Sequence, residues 1–185
     1  MSVQKKKPNI SAFSFGALHR PVVEQTTHPC YISVMELYAE ASIFIQAPIE
    51  KVWQVLTDNS YTNQWVSSYQ PAYKSLESEW KLHDRVEWKD AKGIAHVDGR
   101  VTQIDSPTKL HFSVHDMSGA YDDVQSDDDG ITYYLSVEDK GTRLTVKHGD
   151  FGKVPSNGER LRNITLQSWE SALASIKQLA EADNK

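Results

Sequence analysis

Residues 41–65, ASIFIQAPIEKVWQVLTDNSYTNQW, decide the fold. Ala41, Ile43 and Ile45 alternate with Ser42, Phe44 and Gln46, the period of a strand, until Ala47-Pro48, where the period changes. A proline in a first helical turn forfeits no hydrogen bond, because the N–H groups there have no intrahelical acceptor. Ile49, Val52, Trp53 and Leu56 then recur at helical spacing, with Glu50 near the positive end of the helix dipole. Thr57-Asp58-Asn59-Ser60 breaks that pattern and supplies a cap for a second short helix running through Trp65. A strand therefore hands the chain to a pair of helices that carries two tryptophans.

Downstream the pattern is one of hairpins. Residues 85–89 alternate, with Val86 and Trp88 on one face, and Asp90-Ala91-Lys92-Gly93 supplies a turn. Residues 94–105 form the return strand, in which Gly99 marks a bulge or a close approach of another group. After the Ser106-Pro107-Thr108 turn, Leu110, Phe112 and Val114 share a face, as do Ile131, Tyr133, Leu135 and Val137. Asp139-Lys140-Gly141 turns the chain into a last strand with Leu144 and Val146 inward. With no helix between consecutive strands the sheet is expected to be an antiparallel meander whose apolar face needs a cover. The cover is a C-terminal helix capped by Ser156 or Asn157. Its stripe runs through Leu161, Ile164, Ser168, Trp169, Ala172, Leu173, Ile176 and Leu179. A helix of about 24 residues spans roughly 36 Å, enough to cross the sheet.

The succession Ala47-Pro48, Val52-Trp53, Leu56-Thr57-Asp58 and Trp65 continues through residues 80–88, Gly99-Arg100-Val101, Ser106-Pro107, Leu110-His111-Phe112 and residues 141–148 to Trp169 and Leu173. In this order it resembles the START-like (SRPBCC) superfamily and, more narrowly, homologues of the heat-shock protein 90 ATPase activator. The resemblance implies an α+β helix-grip fold: a curved antiparallel sheet wrapped around a long C-terminal helix, two short helices after the first strand, and an apolar cavity between sheet and helix. The expected organisation is an irregular N-terminal extension over residues 1–34, with Lys5-Lys6-Lys7-Pro8 and no sustained period, followed by a START-like ligand-binding domain over residues 35–185.

Composition narrows the function classes. The 185 residues carry a net charge of −5, which disfavours nucleic acid as a partner. No apolar run approaches the roughly 20 residues of a membrane span, and the basic start lacks the apolar core of a secretory signal, so no membrane insertion and a cytoplasmic location are expected. The single cysteine, Cys30, excludes an intramolecular disulfide and a cysteine-based zinc cage. No metal site is expected: His111 and His115 have zinc spacing for a helix but lie on a predicted strand, about 13 Å apart. An EF-hand frame around Asp127-Asp128-Asp129-Gly130 puts Gln125 and Ser136 at ligand positions. No cofactor motif is present, and no cofactor is expected.

His148 has the parity of Leu144 and Val146 and faces the helix if they do. It reads either as a core histidine or as a polar anchor or general acid–base group, with Tyr133 on the preceding strand as its expected partner. Trp53 reads as core. Trp65, Trp88, Phe112, Tyr133, His148 and Trp169 form the candidate ligand-binding set, because aromatics offer large contact area with few rotamers to freeze. The resemblance places Trp65 at the cavity mouth. Residues 117–129 read as a flap or as an inert surface loop. The expected function is non-catalytic binding of a small hydrophobic or aromatic molecule (lipid, isoprenoid or polyketide-like). The alternatives are a polyketide cyclase or aromatase-like enzyme using His148 and Tyr133, or an interaction domain with a chaperone partner. Either a monomer or a weak homodimer is expected.

Overall fold

A computed structural model describes residues 36–118, 129–154 and 156–182. The extension expected over residues 1–34, Met35, Cys30 and most of the stretch 117–129 lie outside the described residues. The elements are β1 (Ala39–Ile45), α1 (Ile49–Thr57), α2 (Asn59–Tyr69), β2 (Tyr73–Glu77), β3 (Arg85–Asp90), β4 (Ala95–Asp105), β5 (Lys109–Ser113), β6 (His115–Asp116), β7 (Gly130–Glu138), β8 (Gly141–His148), a 3-10 turn (Phe151–Lys153) and α3 (Gly158–Glu181). All strand pairs are antiparallel, in the order β1-β8-β7-β5-β4-β3-β2 with β6 on β4. The meander from β2 to β8 is the expected one, and β1 closes it by pairing with β8.

The two short helices form for the reasons their sequence supplies. Pro48 stands at the N-cap of α1, and Asp58 caps α2 by accepting the Ser60 N–H at 2.8 Å. The buried face of α1 is Val52, Val55 and Leu56, whereas Trp53 is only partly buried against the core. The expectation that Trp53 is a core residue is therefore corrected: the α1 stripe is rotated so that Val55 points inward instead. In α2 the buried residues are Thr62, Trp65 and Val66.

β4 is long because it serves two partners, β6 through Val97 and Asp98 and β5 through Val101 to Asp105. Between them, Arg100 N–H donates to Ser113 Oγ at 3.0 Å, and a Cβ added at Gly99 would collide with the Ser113 carbonyl. Glycine is required where the chain of β5 and β6 bends across β4.

α3 covers the sheet with Trp169, Ala172, Leu173, Ile176 and Ala180. Ile164, expected in this stripe, is 49% exposed, and Val137 is 70% exposed at the far end of β7. Asn157 occupies the N-cap in a left-handed conformation without a side-chain capping bond, so the cap expected from its amide is not made. The polar flank of α3 seals the open edge of β1: Arg162 Nε donates to the Tyr38 carbonyl at 3.0 Å, Lys177 Nζ to the Phe44 carbonyl at 2.9 Å, and Glu181 accepts the Gln46 N–H at 2.7 Å. Those bonds occupy backbone groups that an edge strand otherwise offers to another chain.

Candidate functional site

A cavity of about 250 Å³ lies between the sheet and the start of α3. Trp88 of β3, Ile131 of β7 and His148 of β8 line its sheet side, Tyr69 of α2 and Thr165 of α3 its helix side, and Phe151 its end. Alternation along β8 turns His148 inward with Leu144 and Val146, as expected from parity. Phe151 arrives from the 3-10 turn, which is tied down by its N–H bond to the Leu37 carbonyl at 2.8 Å and by Asp150 accepting the Leu37 N–H at 2.7 Å.

The lining is an aromatic cage. The Tyr69 ring lies 5.1 Å from Trp88 and 4.8 Å from Trp169, Tyr73 meets Trp88 edge-on at 5.5 Å, and Phe151 is 5.7 Å from His148, centroid to centroid. Such pairs add to stability beyond their buried area and hold the walls in place. Burial pushes the Tyr69 phenol well above its ordinary pKa, Tyr73 raises it further, and a hydrogen bond from Thr165 opposes both.

His148 is defined by one contact. Trp169 Nε1–H, which can only donate, reaches His148 Nδ1 at 3.1 Å, so Nδ1 must carry the lone pair and Nε2 the proton. Burial pushes the imidazole down to about 4, which keeps this neutral tautomer at physiological pH. Nε2–H has no protein partner among the described residues and is the donor that His148 brings to the cavity wall.

Of the predicted ligand-binding set, only Trp88 and His148 line the cavity. Trp169 stands behind His148, and Trp65, placed at the cavity mouth by the resemblance, is fully buried: Nε1 donates to the Val55 carbonyl at 3.0 Å and its ring lies 6.3 Å from Trp169. Phe112 and Tyr133 are also fully buried, 5.6 Å apart edge-on. The expected His148–Tyr133 partnership is corrected by register. Ile131 is the residue opposite His148, Tyr133 lies opposite Val146, and the Tyr133 hydroxyl is buried without a hydrogen-bond partner among the described residues. The Nε1 atoms of Trp80 and Trp88 share that condition.

Sequence reasoning missed Tyr69, Tyr73, Phe151 and Thr165. Tyr69 was within reach, since Thr62, Trp65, Val66 and Tyr69 follow i, i+3, i+4, i+7 spacing, which carries α2 one turn past Trp65. Among the described residues no group of His, Cys, Asp and Glu could hold a metal ion, and no helix is long and apolar enough to cross a membrane.

Residues 46–181 match the family model described as "Activator of Hsp90 ATPase homolog 1-like protein". No curated protein matches the sequence. Among solved structures, the chain is similar to a protein from Mesorhizobium loti (TM-score 0.63, 15% identity, covering 78% of this chain and 97% of that one). It is similar to the Aha1 dimer from Colwellia psychrerythraea (TM-score 0.61, 15% identity, 80% and 99% covered). A third is the AHSA1-like protein from Aeromonas hydrophila (TM-score 0.54, 17% identity, 78% and 94% covered). At such identities the likeness is one of fold, the helix grip described above.

Proposed function

Because the chain belongs to the family of Activator of Hsp90 ATPase homolog 1-like proteins, matched over residues 46–181, we propose that it binds a small, largely apolar molecule bearing one hydrogen-bond acceptor in the cavity beneath α3, without turning it over. The observation that carries this reading is the Trp169–His148 hydrogen bond. It leaves a neutral imidazole donating from Nε2 within an aromatic cage, a combination that orients a carbonyl or ether oxygen while rings cover the rest of the ligand. Binding is favoured over catalysis because an imidazole pushed down to about 4 is a weak base near neutrality, and its expected phenolic partner, Tyr133, stands opposite Val146. The reading keeps the expected cytoplasmic setting.

An uncharged naphthalene dye carrying a ketone, whose emission responds to polarity and hydrogen bonding, tests it. Saturable blue-shifted emission with the native protein, lost in Thr165→Phe, supports the site. Equal emission from both proteins places the dye elsewhere and removes the support.

A second reading, a chaperone partner, is favoured by the family's description alone. Pull-down with a heat-shock protein 90 chaperone and stimulation of its ATPase by the purified chain would support it. Absence of both effects would contradict it.

A further inference from the structure

We propose that the outer face of the sheet carries a second, independent site for a small phosphorylated molecule, held between Lys109 and Lys147. The same alternation that turns Ile131, Tyr133, Val146 and His148 inward turns Thr132, Tyr134 and Lys147 outward. Strand register places Thr132 opposite both Lys147 and His111, and Tyr134 opposite Lys109. Together with Tyr38 these side chains line a pocket of about 410 Å³, larger than the inner cavity and on the opposite face of the sheet.

The two lysines give this pocket its positive charge. Lys81, Lys89, Lys153 and Lys177 each meet a carboxylate. Lys147 instead lies over the Tyr38 ring at 3.5 Å and Lys109 over the Tyr134 ring at 5.4 Å, and neither forms an ion pair among the described residues. Glu40 and Asp105 stand opposite them on the neighbouring strands, yet Asp105 takes the Gln103 amide at 2.7 Å and neither carboxylate reaches an ammonium. In a chain of net charge −5, two ammonium groups are thus held on aromatic faces with N–H bonds left to donate.

Between them the floor is hydroxyl and imidazole: Thr132 is only 8% exposed, and Thr102 hydrogen-bonds His111 Nδ1. From strand spacing, the Cα atoms of Lys109 and Lys147 are about 12 Å apart, two strands across and two residues along. An elongated oxyanion with charge at both ends, such as a diphosphate, gives each of the two ammonium groups its own acceptor oxygens. Charge-assisted hydrogen bonds supply the attraction and the tyrosine rings fix the positions of the cations.

The test is a titration of the full chain with inorganic pyrophosphate at constant ionic strength, followed by backbone amide NMR. Saturable shifts are expected at Thr132, His111 and Lys147, with Trp88 and Thr165, which line only the inner cavity, unmoved. Lys109→Met and Lys147→Met should each weaken binding roughly tenfold, as loss of one charge-assisted bond implies. Their spectra should otherwise match the native fold, which the outward position of both side chains favours. Shifts that are linear, spread over the surface, or unchanged in both variants would overturn the proposal.

Discussion

Trp169 on α3 and His148 at the end of β8 are joined by an indole N–H that donates to Nδ1 across 3.1 Å. The bond locks the covering helix to the sheet at the cavity wall and makes protonation of His148 unfavourable twice over, through burial and through an N–H pointing at the nitrogen that would gain a proton. An unfolded histidine has a pKa near 6.5, while burial pushes this one down to about 4. Between these values the unfolded chain binds more protons than the folded one, so stability is present above the window and falls as pH drops from about 6.5 to about 4, by at most about 3 kcal/mol. Chemical denaturation across that range should show the slope, and His148→Gln should flatten it.

Trp65 and Trp53 should exchange the roles their positions suggest. Trp65→Ala removes a fully buried ring and the donor for the Val55 carbonyl near the end of α1, so it should cost about 3 to 5 kcal/mol. Trp53→Ala, at a partly buried position, should cost clearly less. Equal losses in denaturant melts would contradict the packing described.

How far the sequence reached is clear from particular residues. The strand, helix, helix opening was legible because Pro48 and Asp58 punctuate it with local chemistry, and His148 was found because strand parity is local as well. Its partner was not, because which residue faces His148 across β7 depends on register, and a shift of two residues exchanges Tyr133 for Ile131. Phe151 was beyond reach for a similar reason: its place rests on bonds to Leu37, more than 100 residues earlier, that leave no periodic trace.

Gly99→Ala should be among the most damaging of small substitutions. The added methyl meets the Ser113 carbonyl, a backbone atom that cannot rotate away, so either the β4–β5 pairing or the bend into β6 must give. A loss of about 2 kcal/mol or more is expected from overpacking of this kind. A thermal midpoint unchanged from the native protein would show that the close approach is not needed.

At His148 the donor and the ring can be separated. His148→Gln keeps an N–H donor and should retain most of the affinity for the ketone dye. His148→Phe keeps an aromatic wall without the donor and should weaken binding roughly tenfold, the worth of one hydrogen bond of about 1.4 kcal/mol. A hydrocarbon analogue of the dye should bind both variants alike. If the ketone and the hydrocarbon lose affinity equally in His148→Phe, the orienting role of Nε2 is wrong.

Native mass spectrometry of the protein purified from its own host, beside Thr165→Phe prepared identically, tests the binding function most directly. The cavity of about 250 Å³ should appear as one additional species of defined small mass on the native chain, absent from the variant whose cavity is filled. The bare chain mass in both preparations, or the same bound species in both, would contradict a ligand site beneath α3.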